Sequence, residues 1–397
     1  MSEERRRGLS GPVMRAANER LVLRALQESS LSRTELAQRL GLSQMAVSRL
    51  VVGLVDRGLV EESDDAPATR GPGRPRRMLA LGSSWVGVGV DCRVDRTEVV
   101  GVGRGGNVVH RRLSAALKRP TPDEAVTQIV DAVHEVQAAT GGQIAGVGVA
   151  MPAKVRLGRI VVGSHHVDWH DVPVADLLEQ RLELPAVVHN IASSAALANA
   201  RQPETAGTSR LMHLQIGVGL GMALTRGLHV DDTLDADRGS PGHVPLGDPS
   251  RPCHCGRGGC IDAMIGFAVV ERAATEQGLG APAGPDHMNT IAAAVGRAAG
   301  AGEPWAVSLL ERLADDLAGI VAVFTTLEAP EVLTLGGYPL ALGDDFLAEV
   351  RVRVEALSRE PMRLVRTSLG DRATAVGAAL SGLGLLGNGP GVQAPRW

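Results

Sequence analysis

Residues 85–115 hold three short apolar stretches, WVGVGVDC, RTEVVGVG and NVVHRRLSA, with turns at Arg93–Asp95 and Gly105–Gly106 between them. Turn-bounded runs of this kind read as strands. The segment TPDEAVTQIVDAVHEVQAAT (121–140), opened by Pro and Asp, then reads as a helix, and IAGVGVAMP (144–152) as a further strand. This β-β-β-α-β order recurs approximately later in the chain. LMHLQIGVGLGMALTRGLHV (211–230) begins a second unit and EVLTLGG (331–337) supplies one of its later strands. The expected architecture is therefore a pair of similar α/β lobes enclosing a cleft.

With 397 residues the chain is long enough for two or three domains and a large core. No apolar run is long enough to cross a bilayer, and MSEERRRGLS does not lead into a signal-peptide core, so a soluble, cytoplasmic protein without membrane partners is expected. Aromatic residues, at 2%, are too scarce for base-stacking platforms of the single-strand-binding kind. The net charge of -3 hides an asymmetry. Residues 1–82 carry 14 Arg against 10 acidic residues, whereas the remainder carries 27 basic against 34 acidic. The basic front end fits a nucleic-acid partner.

That front end has its own pattern. RAANERLVLRALQE (15–28) contains good helix formers throughout, with Leu21, Ala25 and Glu28 on one side and Val22 and Leu26 beside them. Ser32 and Glu35 have capping-box spacing, which starts a second helix near Arg33; Gly41 stops it after Leu40. Ser43 caps a third helix, in which Val47, Leu50, Val51 and Leu54 recur at core spacing and leave Gln44, Met45, Ser48 and Arg49 facing outward. Two helices joined by a short Gly-containing turn form a helix-turn-helix pattern. The following LVEESDDAPATRGPGRPRRMLALG reads as two short strands around a loop carrying Arg70, Arg74, Arg76 and Arg77, a winged helix whose Gly73-Arg74-Pro75 segment is suited to a narrow minor groove. Gln44 and Arg49 are the candidates for base edges; Arg33, Arg74 and Arg76 are assigned to phosphate or minor groove.

Three of the four cysteines fall inside RPCHCGRGGC (251–260), and only Cys92 lies elsewhere. That distribution argues against a disulfide framework and for metal ligation.

Taken together, the helix-turn-helix with its GRP wing, GVGVAMP, LPAVVHN, GVGLGMALTRG, GHVPLG followed by CHCGRGGCID, APEVLTLGG and the late AVGAAL resemble the ROK family of bacterial transcriptional repressors and sugar kinases over nearly the whole chain. The resemblance implies an α/β fold: a winged helix-turn-helix domain at 10–82, then an actin-like, sugar-kinase-like (ribonuclease H-like) ROK domain. Its lobes would occupy 83–193 and 194–397, the C-terminal helix being free to return to the first lobe. It also implies a homodimer or homotetramer on a double-stranded DNA operator, repressing carbohydrate-related genes.

Within that resemblance, His243 joins Cys253, Cys255 and Cys260 in a closed Cys₃His set suited to structural Zn²⁺, with Gly256, Gly258 and Gly259 making the turn and His254 a bystander. In the family this loop lies beside the sugar. Family kinases use an Asn-Asp pair whose Asp is the proton acceptor; here the pair is Asn190-Ile191, so no catalytic residue is expected and the chain is read as no enzyme. The family's Asp-x-Gly-Gly-Thr phosphate turn is Asp91-Cys92-Arg93-Val94-Asp95, which should obstruct a nucleotide phosphate. The second glycine-rich turn, Gly217-x-Gly219-x-Gly221, fits phosphate binding and strand-helix packing equally. Candidate effector contacts are Asn190, Ser240, His243 and Asp262, of which Ser240 and Asp262 stand where the family has Glu. The effector is then a sugar or sugar derivative, or a phosphorylated one near His165 and His166. The alternatives are a ROK sugar kinase carrying a DNA-binding domain, and a regulator that binds DNA without any ligand.

Overall fold

A computed structural model of the chain describes residues 11–63, 77–164, 167–230, 240–280, 284–357 and 362–388. The front end folds as α1 (Gly11–Glu28), β1 (Leu31–Ser32), α2 (Arg33–Leu40), α3 (Gln44–Asp56), β2 (Val60–Ser63) and β3 (Met78–Leu81). Local chemistry sets these boundaries. The Glu35 N–H donates to Ser32 Oγ while the Glu35 carboxylate accepts the Ser32 N–H at 2.8 Å, completing the capping box. Gly41 closes α2 in the left-handed region at φ 64°, and Ser43 Oγ accepts the Ala46 N–H of α3 at 3.2 Å. Val47, Leu50, Val51 and Leu54 are buried, as their spacing predicts. α1 begins four residues earlier than Arg15, and its buried strip is Val22, Leu23, Ala25 and Leu26, with Leu21 45% exposed. β2 and β3 pair antiparallel, and β1 joins on the other side of β3. The arginine-bearing segment between them, with Arg70, Arg74 and Arg76, lies outside the described residues.

The first lobe is built on β4 (Trp85–Cys92), β5 (Arg96–Val102), β6 (Val108–Ala115), α4 (Pro122–Thr140) and β7 (Gln143–Met151). A small antiparallel sheet follows, made of β8 (Lys154–Arg156), β9 (Ile160–Ser164) and β10 (Trp169–Val172). Then come α5 (Val174–Leu182), β11 (Ala186–Asn190) and α6 (Ile191–Asn199). The main sheet has the order β6-β5-β4-β7-β11, antiparallel across β4-β5-β6 and parallel across β4-β7-β11.

The second lobe repeats that plan with β12 (Arg210–Ile216), β13 (Leu220–Arg226) and β14 (His229–Val230), followed by α7 (Ile261–Ile265), α8 (Phe267–Glu276), α9 (His287–Gly300), α10 (Pro304–Glu328), β15 (Val332–Gly337), α11 (Asp344–Leu357) and β16 (Arg363–Val365). Its sheet runs β14-β13-β12-β15-β16, again three antiparallel strands and then two parallel ones. The recurrence expected from the strand order is thus a duplicated five-stranded sheet.

The last helix, α12 (Ala373–Leu383), leaves the second lobe and lies across the first-lobe sheet. Its backbone is in direct contact with that sheet, because a Cβ at Gly87, Gly89 or Gly148 would overlap α12 main-chain atoms at Ala379, Ala375 and Ala378. Gly377 is pressed equally close to the Ser194 carbonyl of α6. Past this crossing, Leu383 and Leu386 join the core of the front domain among Val22, Leu26, Leu36 and Leu79. Gln27 Nε2 donates to the Leu380 carbonyl at 2.6 Å, and Trp85 Nε1 to the Gly58 carbonyl at 2.9 Å. The front domain is therefore fastened to α12 and the first lobe. It reaches the second lobe through Arg24, whose Nη2 donates to His229 Nδ1 at 2.8 Å. Among the described residues, no helix is long and apolar enough to cross a membrane.

Candidate functional site

A cavity of about 530 Å³ lies between the lobes, walled by the ends of β4, β11 and β12, by the β12–β13 turn and by the starts of α6, α7 and α9. Strand ends and helix starts place polar groups there without further cost, since both leave backbone groups free to bond. Asn190, Ser240, His243 and Asp262, predicted to contact an effector, all line it. Asn190 is fixed in orientation. Its Nδ2 donates to the Ala153 carbonyl at 2.9 Å, and its Oδ1 accepts the Ala192 N–H at 2.8 Å, capping α6. Ile191, the next residue, presents an aliphatic side chain to the same cavity.

Asp262 is held more tightly than its spacing suggests. Oδ1 accepts the Leu220 N–H at 2.8 Å, Oδ2 lies 3.5 Å from His243 Nδ1, and the side chain is 7% exposed. The carboxylate fills the space that a Cβ would occupy at Gly219 and at Gly242. Gly219 thereby makes room for Asp262, while Gly221 lets β13 approach Ala192 of α6. Two members of the glycine-rich turn therefore have packing roles.

The turn at Asp91–Asp95 takes part in a buried ion network. Arg93 donates to Asp91 Oδ2 (2.7 Å), to Asp371 Oδ1 (2.7 Å), to the Asp371 carbonyl (3.0 Å) and to Thr374 Oγ1 (3.1 Å). Arg96 pairs with both Asp371 and Asp286, and Asn289 Nδ2 donates to Asp371 Oδ2 at 2.8 Å. Arg93 and Arg96 belong to the first lobe, Asp286 and Asn289 to the start of α9 in the second, and Asp371 to the entry of α12. The network closes one end of the cleft by joining both lobes. Burial pushes the Asp91 carboxyl up to about 6 despite Arg93 and Arg96. Burial also opposes ionisation of Asp371, but the same two guanidiniums outweigh it and hold that carboxyl well below the usual range.

At the other side of the cleft, His243, Cys253, Cys255 and Cys260 converge, with donor atoms all within 4.8 Å of one another. Cys253 Sγ is 3.7 Å from His243 Nδ1, and Cys255 Sγ is 3.7 Å from Cys260 Sγ. A tetrahedral zinc ion with bonds of about 2.0–2.3 Å separates its ligands by roughly 3.3–3.8 Å. Both separations fall in that range, so the four side chains are placed to hold such an ion. The loop is shaped by Gly256 (φ 84°) and Gly259 (φ 73°) and tied by Gly247 N–H to the Gly259 carbonyl and Cys253 N–H to the Arg257 carbonyl, each 2.8 Å. The Arg257 N–H beside Cys255 draws that thiol down to about 7, toward the thiolate a metal requires.

On the front domain, Gln44, Met45 and Arg49 are exposed and Ser48 is half-buried, all on the outer face of α3. Arg33 sits at the base of the hairpin, paired with Glu62, which Arg77 also approaches at 3.3 Å. His165 and His166 lie outside the described residues. Sequence reasoning missed the β8–β10 rim of the cleft, where Lys154, Ser164, Asp168 and His170 face the cavity, and it missed Gln215, Asn289 and Tyr338 deeper in.

Comparison with known proteins fits this geometry. The ROK family profile matches residues 87–381, and a second profile, the HVO_A0261 N-terminal domain, matches residues 12–74. A putative xylose repressor from Caldicellulosiruptor sp. is 23% identical over 386 residues, covering 92% of this chain and 95% of that one. A glucokinase from Halalkalibacterium halodurans is 25% identical over 219 residues, covering 53% of this chain and 66% of its own. Among solved structures, a ROK family transcriptional regulator described as a homolog of E. coli MLC superposes with TM-score 0.75 at 19% identity, over 94% of this chain and 97% of that one. A ROK family glucokinase from Streptomyces griseus superposes with TM-score 0.64 at 24% identity, over 74% of this chain and 98% of its own. The structural likenesses carry the fold alone. With the family profile spanning most of the chain and the duplicated sheet enclosing a cleft, the chain belongs to the ROK family.

Proposed function

We propose that the protein is a DNA-binding transcriptional regulator, a repressor of carbohydrate-related genes, that senses a sugar or sugar derivative in the interlobe cleft and works in the cytoplasm as a homodimer or homotetramer. The observation that carries this reading is the course of α12. One end is anchored beside the cleft through Arg93, Asp371 and Thr374, and the other contributes Leu383 and Leu386 to the core of the front domain. Any change in the angle between the lobes is then delivered to the domain that carries α3. The glucokinase comparison supports the added role of that domain, since the S. griseus enzyme is covered almost entirely while 74% of this chain is used.

In this reading Gln44 and Arg49 reach base edges in the major groove with Met45 and Ser48 beside them; Arg74 and Arg76 serve phosphate or minor groove, and Arg33 joins them if it exchanges Glu62 for phosphate. Two copies place their recognition helices about 34 Å apart, or a multiple of it. Asn190, Ser240, His243 and Asp262 hold the effector, and Zn²⁺ on His243, Cys253, Cys255 and Cys260 keeps the loop behind them in shape. A ligand shifts operator affinity to the extent that it binds one lobe arrangement better than the other.

Arg49→Ala should weaken binding to a recovered genomic operator in a gel shift by roughly 5- to 150-fold, the equivalent of about 1–3 kcal/mol for one bidentate base contact. Unchanged affinity removes α3 from the groove. The kinase alternative is tested on the same protein: Ile191 supplies no proton acceptor, so ATP with a panel of hexoses and amino sugars should give no cleft-dependent turnover. Turnover abolished by a substitution in the cleft would replace the regulator reading with the enzyme.

A further inference from the structure

Two more donors approach the metal-binding residues, from the cleft side. His254 Nδ1 lies 3.8 Å from Cys253 Sγ, and Asp262 Oδ2 lies 3.5 Å from His243 Nδ1. The two imidazole rings meet edge to face with centroids 5.1 Å apart. The donor atoms of His243, Cys253, His254 and Asp262 all lie within 4.8 Å of one another, as do those of the Cys₃His quartet. Both separations fall in the range of roughly 3.3–3.8 Å that a four-coordinate zinc-sized ion imposes on its ligands.

We infer that His243, Cys253, His254 and Asp262 form a second metal position, on the cleft wall, to which the ion moves when the Cys₃His quartet loses a thiolate. The two quartets share His243 and Cys253, so one ion has two positions and both cannot be filled together. Their chemistry differs. Three thiolates and one imidazole close the first position behind the loop. The second offers one thiolate, two imidazoles and one carboxylate, and His243, His254 and Asp262 all line the cleft. Asp262 keeps Oδ1 on the Leu220 N–H, leaving Oδ2 as a single-oxygen ligand. An ion held there would lie on the cavity wall, within reach of the hydroxyl or carboxylate oxygens of a polyol or hydroxy acid in the cleft. A mixed N, S, O set of this kind selects zinc or cobalt over magnesium or calcium. The inference concerns metal position only and stands whether or not the protein binds DNA.

Cobalt(II) distinguishes the two positions, because the intensity of its thiolate charge-transfer band counts the sulfur ligands. The full-length protein loaded with one equivalent of cobalt should show three. In Cys255→Ser the second quartet is intact, so the band should fall to about one third of the wild-type intensity as the ion moves to Cys253 alone, whereas an ion left between Cys253, Cys260 and His243 keeps about two thirds. Adding His254→Ala should then either restore the two-thirds band or release the metal. A two-thirds band in Cys255→Ser, loss of cobalt from that single variant, or a spectrum that His254→Ala leaves unchanged would overturn the proposal. Should Cys255→Ser not fold, the same intensities are read on folded wild-type protein after alkylation of the half-exposed Cys255 with iodoacetamide.

Discussion

Asp371→Ala should destabilise the protein by about 3 kcal/mol at neutral pH, the lower end of the usual loss when a buried ion pair is broken from one side. Asp371 is the common acceptor for Arg93, Arg96 and Asn289, and the side chains of Arg93 and Arg96 are only 11% and 5% exposed. Without it, Arg93 keeps Asp91 and Arg96 keeps Asp286, but each guanidinium has lost an acceptor where water has little access. The urea midpoint of the variant against wild type checks this, and a loss below about 1 kcal/mol would mean the pair behaves like an exposed one. The difference should also depend on pH with a defined sign. A carboxyl depressed on folding contributes its full stability above the unfolded value of about 3.9, and that contribution is lost as pH falls through the folded value, so wild type and variant should converge on acidification. Asp91 works in the opposite sense. Its folded value is raised to about 6, so its contribution is present below the unfolded value and disappears as pH rises through about 6.

The residues most legible in the sequence were those whose structure is set by near neighbours. Ser32 with Glu35, and Ser43 three residues before Ala46, define helix starts through contacts three positions apart, and those starts hold. The cysteine cluster was legible for the same reason, since Cys253, Cys255 and Cys260 are brought together by one glycine-rich loop and only His243 comes from outside it. The doubled strand order gave the lobes but not their contents. Nothing local announces that Arg93 folds inward to Asp371, 278 residues away, so the part this turn plays in joining the lobes is not legible from its sequence. Periodicity sets Leu21, Ala25 and Glu28 on one side of α1 and Val22 and Leu26 beside them, but does not say which strip is covered; Val22, Leu23, Ala25 and Leu26 are, in a core that Leu383 and Leu386 join from the far end of the chain. Asp262 read as a short substitute for a sugar-binding carboxylate. Its lodging between Gly219 and Gly242 depends on the β12–β13 turn, which no spacing reveals.

Leu383→Ala should open the joint on which the proposed regulation depends. Leu383 is 1% exposed and lies in the front-domain core with Val22, Leu36, Leu79 and Leu386, so its truncation should cost about 2–5 kcal/mol in transfer and cavity terms. The cost is not spread evenly. α12 remains locked to the first-lobe sheet through the glycine contacts at Gly87, Gly89 and Gly148, and Leu383 is not a member of the second-lobe core that holds Leu333 and Leu335 of β15. Local opening should therefore become easier for the front domain alone. Amide hydrogen exchange in α1 and α3 should accelerate by roughly 30- to 5,000-fold, the range equivalent to that loss, while exchange in β15 stays within a few fold of wild type. Equal acceleration in β15 would mean that the front domain and both lobes unfold as one unit, so that α12 transmits nothing that the core as a whole does not. No acceleration anywhere would mean that the front domain stands without Leu383, and any path from the cleft to α3 would have to run instead through the domain's other contacts, Gly58 with Trp85 on the first lobe and Arg24 with His229 on the second.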